Sequence, residues 1–268
     1  MNENDGCLSV ATNIQITNKS ADGKTVSYSG QQVNRVYCLD KNMNISGVSA
    51  DMGINENIKS VRYIGDIAYV VTFRQTDPLY AIDLSDRSNP TILSELKIDG
   101  FSAYMQQFDE NFLLGIGYDA DAQTGITTGL KLTMFDISDN KNIVDIDSHV
   151  IKWTGATTSY TEATYNHKAV LLSGKKNIIG IPMTVSGSSV ELENGAASLD
   201  YKSIFLYTFF EFTDNKIVAT KTINIGTDRE FYGEIRGLYI NDYAYVVSDY
   251  GIICLSLENM TILSELEF

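Results

Sequence analysis

The stretch Arg74-Gln75-Thr76-Asp77-Pro78 sets a cation, an amide and a carboxylate on one short connection. Such a loop either holds a polar ligand or closes on itself as an Arg74 to Asp77 pair that fixes a turn. Trp153, the sole tryptophan, shares the segment 152–166 with Tyr160 and Tyr165. Aromatic rings on a linking segment stack on a sugar, grip a partner or pack over a sheet, since each joins a broad apolar face to a polar tip. His149 and His167 are the only histidines, and neither has a Cys, Asp or Glu at metal-motif spacing. His167, within Tyr165-Asn166-His167-Lys168, reads as opening an inner strand, where its imidazole bonds a backbone carbonyl or serves as a general base. Arg74, Asp77, Trp153, Tyr160 and His167 are therefore the candidate ligand-binding residues.

Neither a His-Glu-x-x-His helix, nor a Gly-rich loop ending in Lys-Ser/Thr, nor a Gly-x-Ser-x-Gly turn occurs in the sequence. No catalytic residue and no metal ligand is assigned. Asp119-Ala120-Asp121-Ala122-Gln123-Thr124-Gly125 alternates carboxylates ahead of a glycine, as a Ca²⁺ loop begins. The bidentate Glu that would complete such a loop is missing, so the segment is an acidic hairpin tip or a weak calcium site. No cofactor is expected apart from calcium at this weak site. Cys7, Cys38 and Cys254 form no metal spacing and no even disulfide set. Cys7 and Cys38 fall in neighbouring strands and either bridge or fill the core as small apolar side chains.

The elements that must position these residues are strands. Glycine numbers 20, proline 3, and Tyr with Phe 16 and 11, while no window carries a helical apolar stripe for three turns. I-G-D-I-A-Y-V-V (64–71) returns as I-N-D-Y-A-Y-V-V (240–247), and T-I-L-S-E-L (91–96) returns unchanged at 261–266. Both fall within a repeated unit of roughly 40 residues: an apolar run, a tight polar turn, a second and a third run, and a closing alternating run. Strand 67–71 is apolar on both faces, whereas 91–98 alternates. Inner strands covered on both sides and outer strands half wetted arise when four-stranded antiparallel sheets stack radially as the blades of a β-propeller. A two-sheet sandwich would alternate in nearly every strand. The chain thus reads as all-β, a single propeller domain or part of one over 1–268. Its blades fall near 7–50, 58–98, 103–151, 167–225 and 235–268, four of them complete. The first reads as incomplete, with no room for its innermost strand.

Several stretches resemble a family of secreted bacterial and archaeal β-propeller-domain proteins, distantly similar to WD-repeat propellers. They are S-V-R-Y-I-G-D-I-A-Y-V-V-T-F-R-Q-T-D-P-L-Y-A-I-D-L-S-D-R-S-N-P (60–90), E-L-K-I-D-G-F-S-A-Y (95–104), D-E-N-F-L-L-G-I-G (109–117), G-L-K-L-T-M-F-D-I-S-D (129–139) and Y-N-H-K-A-V-L-L (165–172). The similarity is to the C-terminal part of longer proteins. It implies an extracellular or cell-surface setting and carries no catalytic residues.

With 20 basic against 34 acidic residues the net charge is −14. Nucleic acid and anionic lipid are disfavoured as partners, because both are gripped by clusters of Lys and Arg. No apolar run is long enough for a membrane span. Insertions at 13–32, 119–128 and 186–202 all join second to third strands, which puts them on one rim. The function expected is non-catalytic binding or scaffolding of a protein or carbohydrate through that rim. The alternative is a carbohydrate-active enzyme, whose cleavage chemistry needs two carboxylates facing across a cleft; the S-x-D-x-G-x-T-W repeats of sialidases are missing. An arc of this size either closes on itself or is completed by an upstream segment or by self-association.

Overall fold

The computed structural model describes residues 1–19, 26–74, 77–121, 123–153, 156–187, 202–227 and 233–268. Five antiparallel sheets follow one another along the chain. The first holds β1 (Asn2–Asn4), β2 (Cys7–Lys19), β3 (Val26–Leu39) and β4 (Ile45–Val48). The second holds β5 (Asn57–Ile64), β6 (Ile67–Phe73), β7 (Asp77–Asp83) and β8 (Thr91–Ile98), and the third β9 (Phe101–Gln107), β10 (Phe112–Ala120), β11 (Thr127–Asp136) and β12 (Val144–Ile151). The fourth is built from β13 (Ala156–Tyr160), β14 (Leu171–Ser173), β15 (Ile178–Gly187), β16 (Lys202–Thr213) and β17 (Lys216–Thr227). The fifth closes the chain with β18 (Arg236–Ile240), β19 (Tyr243–Ser248), β20 (Gly251–Ser256) and β21 (Ile262–Glu267).

Alternation along the second strand of each sheet explains the stacking, since successive side chains point to opposite faces. Ala68 and Val70 of β6 pack backward on Cys7, Val36 and Cys38 of the first sheet. Their neighbours Tyr69 and Val71 pack forward on Met105, Leu113 and Phe135 of the third. The third sheet in turn sends Leu114, Ile116 and Leu132 onto Ile179, Ile181 and Val185 of the fourth. Tyr207, Phe209 and Ile223 of the fourth meet Ala244, Val246 and Leu255 of the fifth. Each buried side chain of this size contributes about 1.5–3 kcal/mol, so consecutive sheets are held mainly by apolar burial. Polar clamps add register: Tyr69 Oη donates to Asn140 Oδ1 at 2.5 Å, and Ile217 N donates to Asp147 Oδ2 at 2.9 Å.

Three expectations from the sequence need correction. The first sheet does have a fourth strand: β1 pairs with β2, joined by the turn Asp5-Gly6, both residues at positive φ (51° and 70°). Segment 152–166 is not only a link, because β13 lies within it and pairs with β15. His167 opens no inner strand. It begins a 3₁₀ turn, His167–Ala169, capped by the Asn166 side chain, and the innermost strand of the fourth sheet is thereby split into β13 and β14. All three cysteines are free thiols; Cys7 and Cys38 are buried in the interface between the first two sheets, which matches the apolar reading over the bridge.

Candidate functional site

The interruption of the fourth sheet creates the most differentiated site. Thr161 caps the 3₁₀ turn Glu162–Thr164, its hydroxyl accepting from Ala163 N at 3.1 Å. The chain is thereby turned away from the sheet and Glu162 is brought to Arg236, at the start of β18. Arg236 Nη1 donates to Glu162 Oε2 at 2.7 Å and Nη2 to Oε1 at 3.1 Å, a two-pronged pair with both side chains about a fifth exposed. Asn166 Nδ2 donates to Glu162 Oε1 at 2.9 Å, and Glu234 Oε2 lies 2.6 Å from Arg236 Nη2. The guanidinium, with help from Asn166, holds the Glu162 carboxyl below the usual carboxylate range, and Glu162 in turn raises the Arg236 pKa.

Glu162 and Glu234 line a cleft of about 340 Å³ together with Tyr160, Tyr165, Thr184 and Phe205. Tyr160 is 48% and Tyr165 74% exposed, so two phenol rings stand open beside charged and hydroxyl groups. Partial desolvation of its oxygen by the cleft wall raises the Tyr165 hydroxyl pKa, and the Glu162 charge adds to the effect. A second cleft, about 310 Å³, adjoins the same strand and is lined by Thr158, Ser159, Trp153, Tyr118 and Thr128. The Trp153 indole nitrogen is buried with no hydrogen-bond partner among the described residues.

The residues singled out from sequence are thus not all in one place. Trp153 and Tyr160 come to adjoining clefts. Arg74 is exposed and lines a separate cleft of about 350 Å³ with Gln15, Gln31, Gln32 and Asn55. Asp77 pairs through its backbone with Ile98; its side chain, Gln75 and Thr76, and with them the Arg74 to Asp77 pairing, lie outside the described residues. His167 is exposed and lines none of these clefts. His149 sits on β12 edge-on to Phe210, ring centroids 5.7 Å apart, in the interface between the third and fourth sheets. Asp121 accepts from Gln123 N, Thr124 N and Thr124 Oγ1, and Asp119 accepts from Thr128 Oγ1, so both carboxylates are engaged within their own hairpin.

Sequence reading missed Glu162, Arg236 and Asp145. The first two are separated by 74 residues, and no local pattern joins them. Asp145 lines a groove of about 560 Å³ between the second and third sheets, with Asp119, Lys97 and Lys131. Its Oδ2 accepts from Ser148 Oγ at 3.0 Å, its Oδ1 is buried without a partner among the described residues, and burial raises its pKa.

Comparison with known proteins places this geometry in a family. Over residues 1–260 the chain matches the family described as Beta propeller domain. An uncharacterised protein of Methanocaldococcus jannaschii is 31% identical over 270 residues, covering 100% of this chain and 36% of that protein. One from Archaeoglobus fulgidus is 30% identical over 214 residues, covering 80% of this chain and 28% of its own. The chain therefore spans about a third of the length of these relatives. Among solved structures, apo AztD from Citrobacter koseri aligns with 90% of this chain and 58% of its own, at a TM-score of 0.47 and 11% identity. Among the described residues no helix is long and apolar enough to cross a membrane. The chain belongs to the β-propeller domain family.

Proposed function

We propose that this chain is a non-catalytic binding domain of an extracellular or cell-surface protein, and that it holds carbohydrate in the cleft between Tyr160 and Tyr165. One observation carries the reading: two largely exposed tyrosines flank a cleft whose walls also offer Glu162, Glu234 and Thr184. Aromatic faces cover the apolar faces of sugar rings, and carboxylates and hydroxyls accept and donate to sugar hydroxyls. The neighbouring cleft at Trp153 extends the aromatic surface along β13. The resemblance to secreted proteins supports the extracellular setting. Glu162 is ill-suited to cleave what it binds, since a glycosidic general acid must keep its proton near neutrality and Arg236 does the reverse to Glu162.

A glycan panel tested by calorimetry on the chain checks this. Binding without turnover is expected, with Tyr165→Ala and Tyr160→Ala each weakening affinity at least about tenfold, the size of one lost stacking contact of about 1.4 kcal/mol. Absence of binding across the panel, or affinity unchanged in both variants, overturns the reading. One observation favours a second reading as a carbohydrate-active enzyme: Asp145 has the raised pKa a general acid needs, and Asp119 lines the same groove. Under that reading the panel shows turnover, and Asp145→Asn abolishes it.

A further inference from the structure

Arg35, Arg87 and Arg236 are each neutralised by a carboxylate: Arg35 by Asp51, Arg87 by Asp66, and Arg236 by Glu162 and Glu234. Arg74, exposed just after β6, makes no ion pair and no hydrogen bond among the described residues. Lys59, exposed on β5, is likewise without a carboxylate partner among them. Its ammonium stands 5.6 Å from the centre of the Phe73 ring and 5.1 Å from that of Phe101, and those two rings lie 4.6 Å apart. Phe73 is the chain neighbour of Arg74, so two unneutralised cations share one stretch of rim in a molecule of net charge −14.

The cleft of about 350 Å³ beside Arg74 is lined, among the described residues, by Gln15, Gly30, Gln31, Gln32, Asn55 and Arg74 itself. Side-chain amides and one guanidinium make its wall, with no carboxylate and no apolar side chain among these residues. That wall is held in place from behind. Gln32 N donates to Asn55 Oδ1 at 3.2 Å, and Asn55 N donates to the Gln32 carbonyl at 2.8 Å. Gln32 Nε2 donates to Glu56 O at 3.1 Å and to Asn57 Oδ1 at 3.2 Å, which leaves Gln32 Oε1 and Asn55 Nδ2 unspent among the described residues. Gln31 owes its position to a bulge: the pairing of β2 with β3 shifts between Gln15 and Thr17, Gly30 takes a φ of 78°, and Ser29 Oγ donates to Ile16 O at 2.9 Å. Bulges of this kind give up ladder pairing and re-aim a side chain. Glu56, the acid on the neighbouring loop, is engaged by Thr72 Oγ1 at 2.6 Å.

We propose that this cleft binds the carboxylate of an acidic sugar, with Arg74 holding the charge and the amides of Gln15, Gln31, Gln32 and Asn55 pairing with ring hydroxyls. A guanidinium meets a carboxylate with two parallel N–H donors. A side-chain amide carries both a donor and an acceptor, which matches a hydroxyl in either sense. A peptide bearing the same carboxylate would find no apolar wall here for its side chains, and a neutral sugar would leave Arg74 unused. The net charge of −14 repels anions at long range, so an acidic ligand is held only where a local cation reverses the field, and Lys59 adds to that of Arg74. The site belongs to the first two sheets and is separate from the tyrosine cleft of the fourth, on which it does not rest.

Calorimetry on the chain tests the proposal with a trisaccharide of galacturonic acid, the same trisaccharide with its carboxyls reduced to alcohols, and a tripeptide with a free C-terminal carboxylate. The acidic trisaccharide is expected to bind, more tightly at about 0.05 M than at about 0.5 M salt. Its affinity should exceed that of the reduced form at least about tenfold, as one charge-assisted contact supplies. Arg74→Gln is expected to remove this discrimination, and Arg74→Lys to restore only part of it, since an ammonium cannot make the two-pronged contact. Tyr165→Ala should leave the discrimination intact, so the two clefts succeed or fail separately. Far-UV circular dichroism verifies folding; should Arg74→Gln unfold the chain, the comparison of acidic with reduced trisaccharide on the parent and the weaker acidic binding expected of Gln31→Ala carry the test. Equal affinity for the two trisaccharides, an Arg74→Gln chain that still discriminates, discrimination lost in Tyr165→Ala, tighter binding of the tripeptide, or no binding at all would each overturn it.

Discussion

At the scale of single residues, one tight contact lies where the fourth sheet meets the fifth. Tyr207 is fully buried there, its ring facing Gly180 and Gly237. A Cβ at Gly180 would stand 2.7 Å from the Tyr207 hydroxyl, and one at Gly237 closer still. Gly237→Ala is expected to cost about 1–3 kcal/mol through overpacking, seen as a fall in Tm of about 2–4 °C per kcal/mol. The Tyr207 hydroxyl is buried without a partner among the described residues. Tyr207→Phe is therefore expected to raise stability by about 1 kcal/mol and to recover part of the Gly237→Ala loss in the double variant. Glu162 offers a pH-dependent counterpart. Its folded pKa lies below the ordinary value of 4.5, so its stabilising pair with Arg236 is complete above that pH and fades as pH falls further. Glu162→Gln is expected to cost about 1 kcal/mol at neutral pH, a partly exposed pair being discounted for solvent screening. The difference from the parent should vanish in acid, as urea titrations at stepped pH would register.

At the scale of elements, the sheets differ in how plainly their sequences announce them. Strands such as Ile67–Phe73 are apolar on both faces and bounded by Gly65-Asp66, so type, limits and burial are all readable. The strand Asn2–Asn4 is polar throughout and gains its conformation only by pairing with Cys7–Ser9. Its one signal is the dipeptide Asp5-Gly6, which favours a tight hairpin because both residues accept positive φ. Ala156–Tyr160 is equally obscure: Thr157, Thr158 and Ser159 carry no apolar alternation, and pairing with β15 alone makes it a strand. The cleft at Tyr160 follows from that pairing and from an ion pair spanning 74 residues, neither of which any window of sequence contains. The interfaces themselves predict an alkaline limit. Burial pushes the Tyr63 and Tyr69 hydroxyls up to about 12, from an ordinary value of 10. A group protonated more tightly when folded stabilises fully below its unfolded pKa and ceases to do so as pH rises through its folded one. Thermal melts are expected to hold level up to pH 10 and then to fall steadily toward pH 12.

At the scale of the whole molecule, the account rests on sheets that each hide two faces except at the two ends of the series. Valine at positions 71 and 247 supplies an internal control, being the same residue at the same place in returning sequences, fully buried in one and half-buried in the other. The most direct measurement is the unfolding free energy of Val71→Ala and Val247→Ala by urea titration. Val71 is 0% exposed between two sheets, and its truncation is expected to cost about 2 kcal/mol or more, whereas Val247→Ala should cost less than about 1 kcal/mol. Equal losses, or the larger loss at Val247, would contradict the stacking order.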